Sequence, residues 1–374
     1  MKTTLLTIGA LILVVVAWAV YNQASKQDAN EPIKIGVSTI LTGDFAALGE
    51  NIVNTARLAV DEINVGGGIN GRPLELYIQD AGLDSKTGLS AAQKLVNVDG
   101  VKYIIGGTTS NGTLAAAPLM NEQKVIYMTP VTGGTNVDTA GEYVFRVANG
   151  DSLAGRDLAN GAVKLGFKKV VLVTEVTEYT LDIKKSFIQT YNGNIVINED
   201  FQPGTTDFRT LVAKVAATKP DAIVVLSQTG VAGAHFVKQS RDAGVSVPIF
   251  TDFTFVANTA AKEIVGSFEG VYFTDPAFGA DEKITKEVFA RYEAKYGTAP
   301  FIGFHAASTY DSVMMLADAL RAVGDDSERV HDYLLTIKNR AGLMGTYSLD
   351  AQGNSDLGFI FKQVRGEKFV TVGE

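Results

Sequence analysis

The sequence predicts an α/β protein built as two doubly wound parallel-sheet lobes. Three observations carry that reading. From residue 33 onward, short apolar strands alternate with amphipathic helices, an order that builds parallel sheets covered by helices. The alternation breaks near 148–152 and then restarts, which marks a second unit. The length of 374 residues suits two or three folding units at roughly 150 residues each.

The first unit opens with a strand over 33–40, where Ile33, Ile35 and Val37 alternate. Ile52, Ala56, Ala59 and Ile63 then recur at helical spacing and share one face. Gly66, Gly67 and Gly68 stop that helix, and a strand follows over 74–79. Next come a helix over 85–98, a strand over 101–105, a helix over 113–123 and a strand over 125–129.

The second unit reads as strand 169–173, helix 181–191, strand 194–198, helix 208–218, strand 222–226, helix 231–243 and strand 247–251. Helices over 281–296, 305–323 and 327–339 follow, then hairpin-like strands within 347–372. That late block exceeds what one α/β unit needs, so the chain is expected to return to a lobe already begun.

Composition excludes several function classes. Lys and Arg number 33 against 41 Asp and Glu, a net charge of −8, which argues against a broad nucleic-acid surface. There is no cysteine, so disulfides, thiolate metal sites, a cysteine nucleophile and cysteine lipidation are excluded. The three histidines, His235, His305 and His331, are scattered, which leaves no multi-histidine metal site. No cofactor is implied.

Lys2 precedes an uncharged stretch over 3–25 whose centre, 5–21, is strongly apolar. Residues 1–25 therefore read as a signal peptide or a membrane anchor. Ala17 and Ala19 have the spacing a signal peptidase reads, whereas Trp18 and Tyr21 suit an interfacial belt. Either reading places the rest of the chain outside the cytoplasmic membrane.

The run from Gly66 to Gly71 has the letters of a dinucleotide fingerprint. It follows a helix and opens a strand, the reverse of the working context, and reads as a helix stop and turn. No phosphate loop, nucleophile elbow or acid–base constellation stands out.

What remains are loops at the carboxyl ends of strands, where open α/β sheets bind ligands. In the first unit they cover 42–49, with Phe45 and Leu48; 106–113, with Ser110 and Asn111; and 129–135, with Val131, Thr132 and Gly133. The last two are rich in Gly, Ser and Thr, so free N–H groups and hydroxyls can approach an anion. The second unit offers 175–179, with Tyr179; 227–230, with Gln228 and Thr229; and 251–255, with Asp252 and Thr254. This side is acidic, aromatic and amide-bearing. The two rims together suit a small zwitterion with an apolar body.

On these residues the chain resembles the type I periplasmic solute-binding proteins of ABC importers, in the Leu/Ile/Val-binding branch. The matching motifs are Thr42-Gly43-Asp44 leading to Gly49, and Ala59-Val60-Asp61-Glu62-Ile63-Asn64 ahead of 67–72. Asp207-Phe208 before Lys219-Pro220-Asp221-Ala222, and Tyr310-Asp311-Ser312-Val313, complete them.

The resemblance implies two lobes joined by three crossovers, with a ligand gripped between them and no enzymatic activity. It assigns 33–148 plus 277–343 to the first lobe and 149–276 plus 344–374 to the second. It puts the ligand's α-carboxylate near Ser110, the Val131 N–H and Gly133, with Thr132 standing in for a hydroxyl that Gly133 lacks. It packs Tyr179 on the ligand. Two departures from the family pattern stand out: Leu48 replaces an aromatic, and Thr254 replaces the carboxylate that holds the ligand's ammonium. Asp252, two residues earlier, would share a face with Thr254 on an extended segment; either it takes over the ammonium, or the ligand is not an α-amino acid. The expected partners are a small amino acid or carboxylate, an ABC permease, and the membrane through the N-terminal segment. A membrane-tethered sensor ectodomain of the same fold is the alternative.

Overall fold

The computed structural model describes residues 31–355 and 357–372. The segment 1–25 lies outside the described residues. Among the described residues, no helix is long and apolar enough to cross a membrane.

Two sheets form. The first runs in the order β2-β1-β3-β4-β5, all parallel, from β1 (Ile33–Thr39), β2 (Leu74–Asp80), β3 (Tyr103–Gly106), β4 (Ile126–Thr129) and β5 (Val144–Arg146). β1 is an interior strand, and every residue in it except Lys34 is buried, as helices on both faces require. On one face lie α1 (Ala46–Val65) and the late helix α12 (Gly303–Val323). On the other lie α2 (Ser85–Gln93) and α3 (Ser110–Gln123). Ile52, Ala56, Ala59 and Ile63 of α1 all face the first core and are at most 3% exposed.

The second sheet runs β14-β13-β10-β9-β8-β6-β7. Its parallel part comprises β6 (Lys169–Glu175), β7 (Asn194–Phe201), β8 (Ala222–Leu226), β9 (Ile249–Asp252) and β10 (Tyr272–Pro276). An antiparallel hairpin, β13 (Phe359–Arg365) and β14 (Lys368–Thr371), extends one edge. The second lobe is therefore a mixed sheet rather than a wholly parallel one. β5 and β10 lie outside the strands expected from the sequence. β5 is three residues long, too short to display a period of two.

The return to the second lobe comes later than the boundary at 344. The hairpin of β11 (Arg340–Gly342) and β12 (Gly345–Tyr347) stays with the first lobe, and Leu343, Met344, Tyr347, Leu349 and Leu357 all sit in its core. Asp311 fixes this hairpin by accepting from the N–H groups of Leu343 and Met344, both at 2.9 Å. The chain joins the second sheet only at Phe359.

Three crossings thus link the lobes: after β5, after β10, and between Ser355 and Phe359. Asn149, 3% exposed, sits in the first. Its Nδ2 donates to Ala277 O of the second crossing at 3.1 Å and to Gly358 O of the third. Arg146 is also buried; it pairs with Asp138, donates to Ala148 O, and reaches Ser355 O at 3.1 Å.

Asn149→Ala removes both amide bonds from a buried hinge. It should lower stability in urea unfolding by about 1–3 kcal/mol. Unchanged stability would show that the crossings are held by other means.

Candidate ligand-binding site

The carboxyl ends of β1, β3 and β4 face those of β6, β8 and β9 across a cleft of about 300 Å³, a size suited to a small ligand. Of the residues singled out from the sequence, Phe45, Leu48, Ser110, Asn111, Val131, Thr132, Tyr179, Gln228, Thr229 and Thr254 line it. Gly133 and Asp252 do not.

One wall is a cluster of unpaired donors. α3 begins at Ser110, three residues before the expected start, because Thr109 caps it by accepting from Gly112 N–H at 3.1 Å. The first-turn N–H groups of Ser110 and Asn111 find no acceptor among the described residues, nor do those of Val131 and Thr132 in the loop after β4. Ser110 is buried, and its hydroxyl is likewise unpaired among the described residues. Unpaired N–H groups at a helix N-terminus favour an anion through both hydrogen bonding and the helix dipole.

Gly133 is explained by space. A Cβ there would lie 2.0 Å from Asn149 O and 2.6 Å from Asp151 Oδ1. No side chain fits; the neighbouring Thr132 lines the cleft, with its hydroxyl 3.4 Å from that of Thr113. Gly49 obeys the same logic: a Cβ would lie 1.5 Å from Ile40 O, where α1 passes the end of β1. Asp80 holds the loop between them by accepting from Leu41 N–H and from the Thr42 hydroxyl, at 3.0 and 2.6 Å. That places Phe45 and Leu48 on the cleft.

Asp252 does not take the position expected of it. The chain turns after β9 into a short helix, α9 (Phe253–Ala257), so the extended geometry assumed for 252–254 is absent. Asp252 is the N-cap of α9, fully buried, and accepts from the N–H groups of Phe255 and Ser227 and from the Thr254 hydroxyl. Burial pushes its carboxyl up to about 6, against those hydrogen bonds. Tyr179 OH lies 3.5 Å from it. It supports Tyr179 and Thr254 from behind.

Two carboxylates line the cleft, Glu178, which pairs with Asn136, and Asp151, which no sequence motif marks. It opens α5 (Asp151–Lys164), directly after the first crossing, and its N–H donates to Gly133 O at 2.6 Å. It is 4% exposed, and its carboxylate has no hydrogen bond among the described residues. Burial raises its pKa well above the carboxylate range; Asp182 and Asp138 push the same way and Arg146 opposes them. Glu175 is the contrasting case. It is also buried, but it accepts from Ser227 Oγ, Thr229 N–H and Thr229 Oγ1 at 3.0, 2.9 and 2.6 Å, which shapes the Gln228–Thr229 loop.

The rest of the cleft wall is largely apolar and aromatic, with Leu83, Phe253, Phe304 and Phe359, and His305 beside them. Phe253 and Phe304 come from opposite lobes and meet edge to face, with centroids 5.0 Å apart. At the cleft edge, α6 (Glu178–Thr190) reaches the first lobe. Asp182 accepts from Thr135 N–H and Thr135 Oγ1 at 2.9 and 2.8 Å, and Glu178 from Asn136. The lobes are therefore closed on one another. Among the described residues, no group of three or more acidic or histidine side chains could hold a metal.

Residues 32–358 match the family model described as periplasmic binding protein. A Leu/Ile/Val-binding protein of Rhizobium johnstonii is 31% identical over 81% of this chain and 83% of its own. One from Citrobacter freundii is 27% identical over 92% and 93%. A branched-chain amino acid transporter substrate-binding protein of Streptococcus pneumoniae, solved with isoleucine, is 30% identical with a TM-score of 0.81 over 90% of this chain and 97% of that one. These relatives are substrate-binding proteins, not enzymes. On this evidence the chain belongs to the periplasmic binding protein family and is extracytoplasmic.

Proposed function

We propose that this protein is the substrate-binding protein of an ABC importer and carries an amino acid of the branched-chain type, or a related small carboxylate, in its inter-lobe cleft. One observation carries the reading. The cleft sets unpaired donors at Ser110, Asn111, Val131 and Thr132 beside the unpaired Asp151 carboxylate, with an apolar wall alongside. A zwitterion with an aliphatic body satisfies all three at once. The donor wall takes the α-carboxylate, Asp151 takes the ammonium, and Leu48, Phe253 and Phe304 take the side chain.

The ligand docks on the first lobe, the second swings in, and closure removes water and strengthens each polar contact. The permease then recognises the closed form. Residues 5–21 serve as export signal or anchor at the membrane. The transporter role named for the Streptococcus pneumoniae relative favours transport over sensing.

Leucine, isoleucine or valine should raise the melting temperature. A ligand at 100 times its Kd adds about 2.7 kcal/mol. A broad panel of amino acids and small carboxylates that gives no shift would contradict the assignment.

The role of Asp151 predicts a pH dependence. Its pKa is raised in the closed cleft without ligand, and an ammonium partner there lowers it. Binding therefore releases a proton, and affinity falls as pH drops through that raised pKa. Calorimetry in two buffers of different ionisation enthalpy should detect that release. Asp151→Asn should abolish it and weaken amino-acid binding by roughly 10-fold or more. Equal proton release in the variant would move the ammonium elsewhere.

A further inference from the structure

His305 plays no part in the contacts assigned so far, yet it faces the same cleft. It lies in the first turn of α12 and is 6% exposed. Neither ring nitrogen has a hydrogen-bond partner among the described residues, and Nδ1 is wholly buried. Its ring packs on Phe304 with centroids 4.0 Å apart, and Phe304 in turn meets Phe253 of the other lobe. The imidazole thus sits at the aromatic part of the cleft, where closure seals it.

A purely hydrocarbon ligand would leave this group unpaired. A buried polar group without a partner is destabilising. Packing alone would be served better by an apolar side chain of similar size.

We propose that His305 is a specificity-determining contact that receives an uncharged hydrogen-bonding group on the ligand's side chain, a hydroxyl or an amide. The inference rests on the cleft being the amino-acid site proposed above. A neutral imidazole offers one donor and one acceptor, and both groups match that pair. Burial holds the ring neutral, with its pKa pushed down to about 3. A second carboxylate on the ligand would therefore meet no positive charge there, and a second ammonium no negative one. Threonine fits the description while keeping the branch at Cβ that valine has.

The test uses near-isosteric ligand pairs on the intact protein: threonine against valine, and asparagine against leucine. Calorimetry should give the polar member of at least one pair an affinity tenfold or more above its apolar partner. His305→Leu should erase that preference while leaving the apolar member bound as well or better. His305→Gln, which keeps a donor and an acceptor, should retain it and covers the case in which the leucine variant fails to fold. Tighter binding of both apolar members, with ratios unchanged by His305→Leu, would overturn the inference while leaving the amino-acid site standing. No binding by any of the four would overturn the inference, and the amino-acid site falls with it only if the broad panel of amino acids and carboxylates also fails.

Discussion

A single buried amide, that of Asn149, ties all three chain crossings together. It belongs to the first and donates to carbonyls of the second and third. Arg146, three residues earlier, binds the first crossing to the third through Ala148 and Ser355. Those bonds hold the carboxyl ends of both sheets opposite one another, and so the cleft exists. Two residues after Asn149 comes Asp151, the cleft's unpaired carboxylate. The lobe crossing and the proposed ligand contact thus share one short segment, 146–151. A ligand that engages Asp151 pulls on the residue next to the hinge.

The acidic residues near the cleft are told apart by their partners. Glu175 and Asp252 are fully buried, but donors from the protein satisfy them. Asp151 is equally enclosed and satisfied by nothing among the described residues. A buried carboxylate without partners is costly enough that it gains a proton or a counter-charge. The unpaired donors of α3 and of the loop after β4 pose the complementary problem. In the proposed reading a zwitterion resolves both in one step and so couples binding to closure.

Much of this was legible in the sequence. Central strands such as 222–226, and the helix face of Ile52, Ala56, Ala59 and Ile63, show because burial on both sheet faces and helical period leave strong patterns. Ten of the twelve candidate residues line the cleft, because they sit in loops at the carboxyl ends of the facing strands. Some matched motif residues proved structural: Tyr310 bonds Glu62 at 2.6 Å, and Asp311 fixes the hairpin.

The failures are local and physical. Asp252 misled because an N-cap at the start of a five-residue helix looks like a strand end in sequence. Asp151 was hidden because an acidic residue opening a helix is ordinary N-terminal chemistry. Only the fold shows that its partners are missing. The central claim is that opposite charges on one ligand are gripped at Ser110 and Asp151. The direct measurement compares leucine with its des-amino and its decarboxylated analogues by calorimetry on the unmodified protein. The account predicts that each analogue loses at least roughly tenfold in affinity, the worth of one charge-assisted contact. A des-amino analogue that binds as tightly as leucine would contradict it.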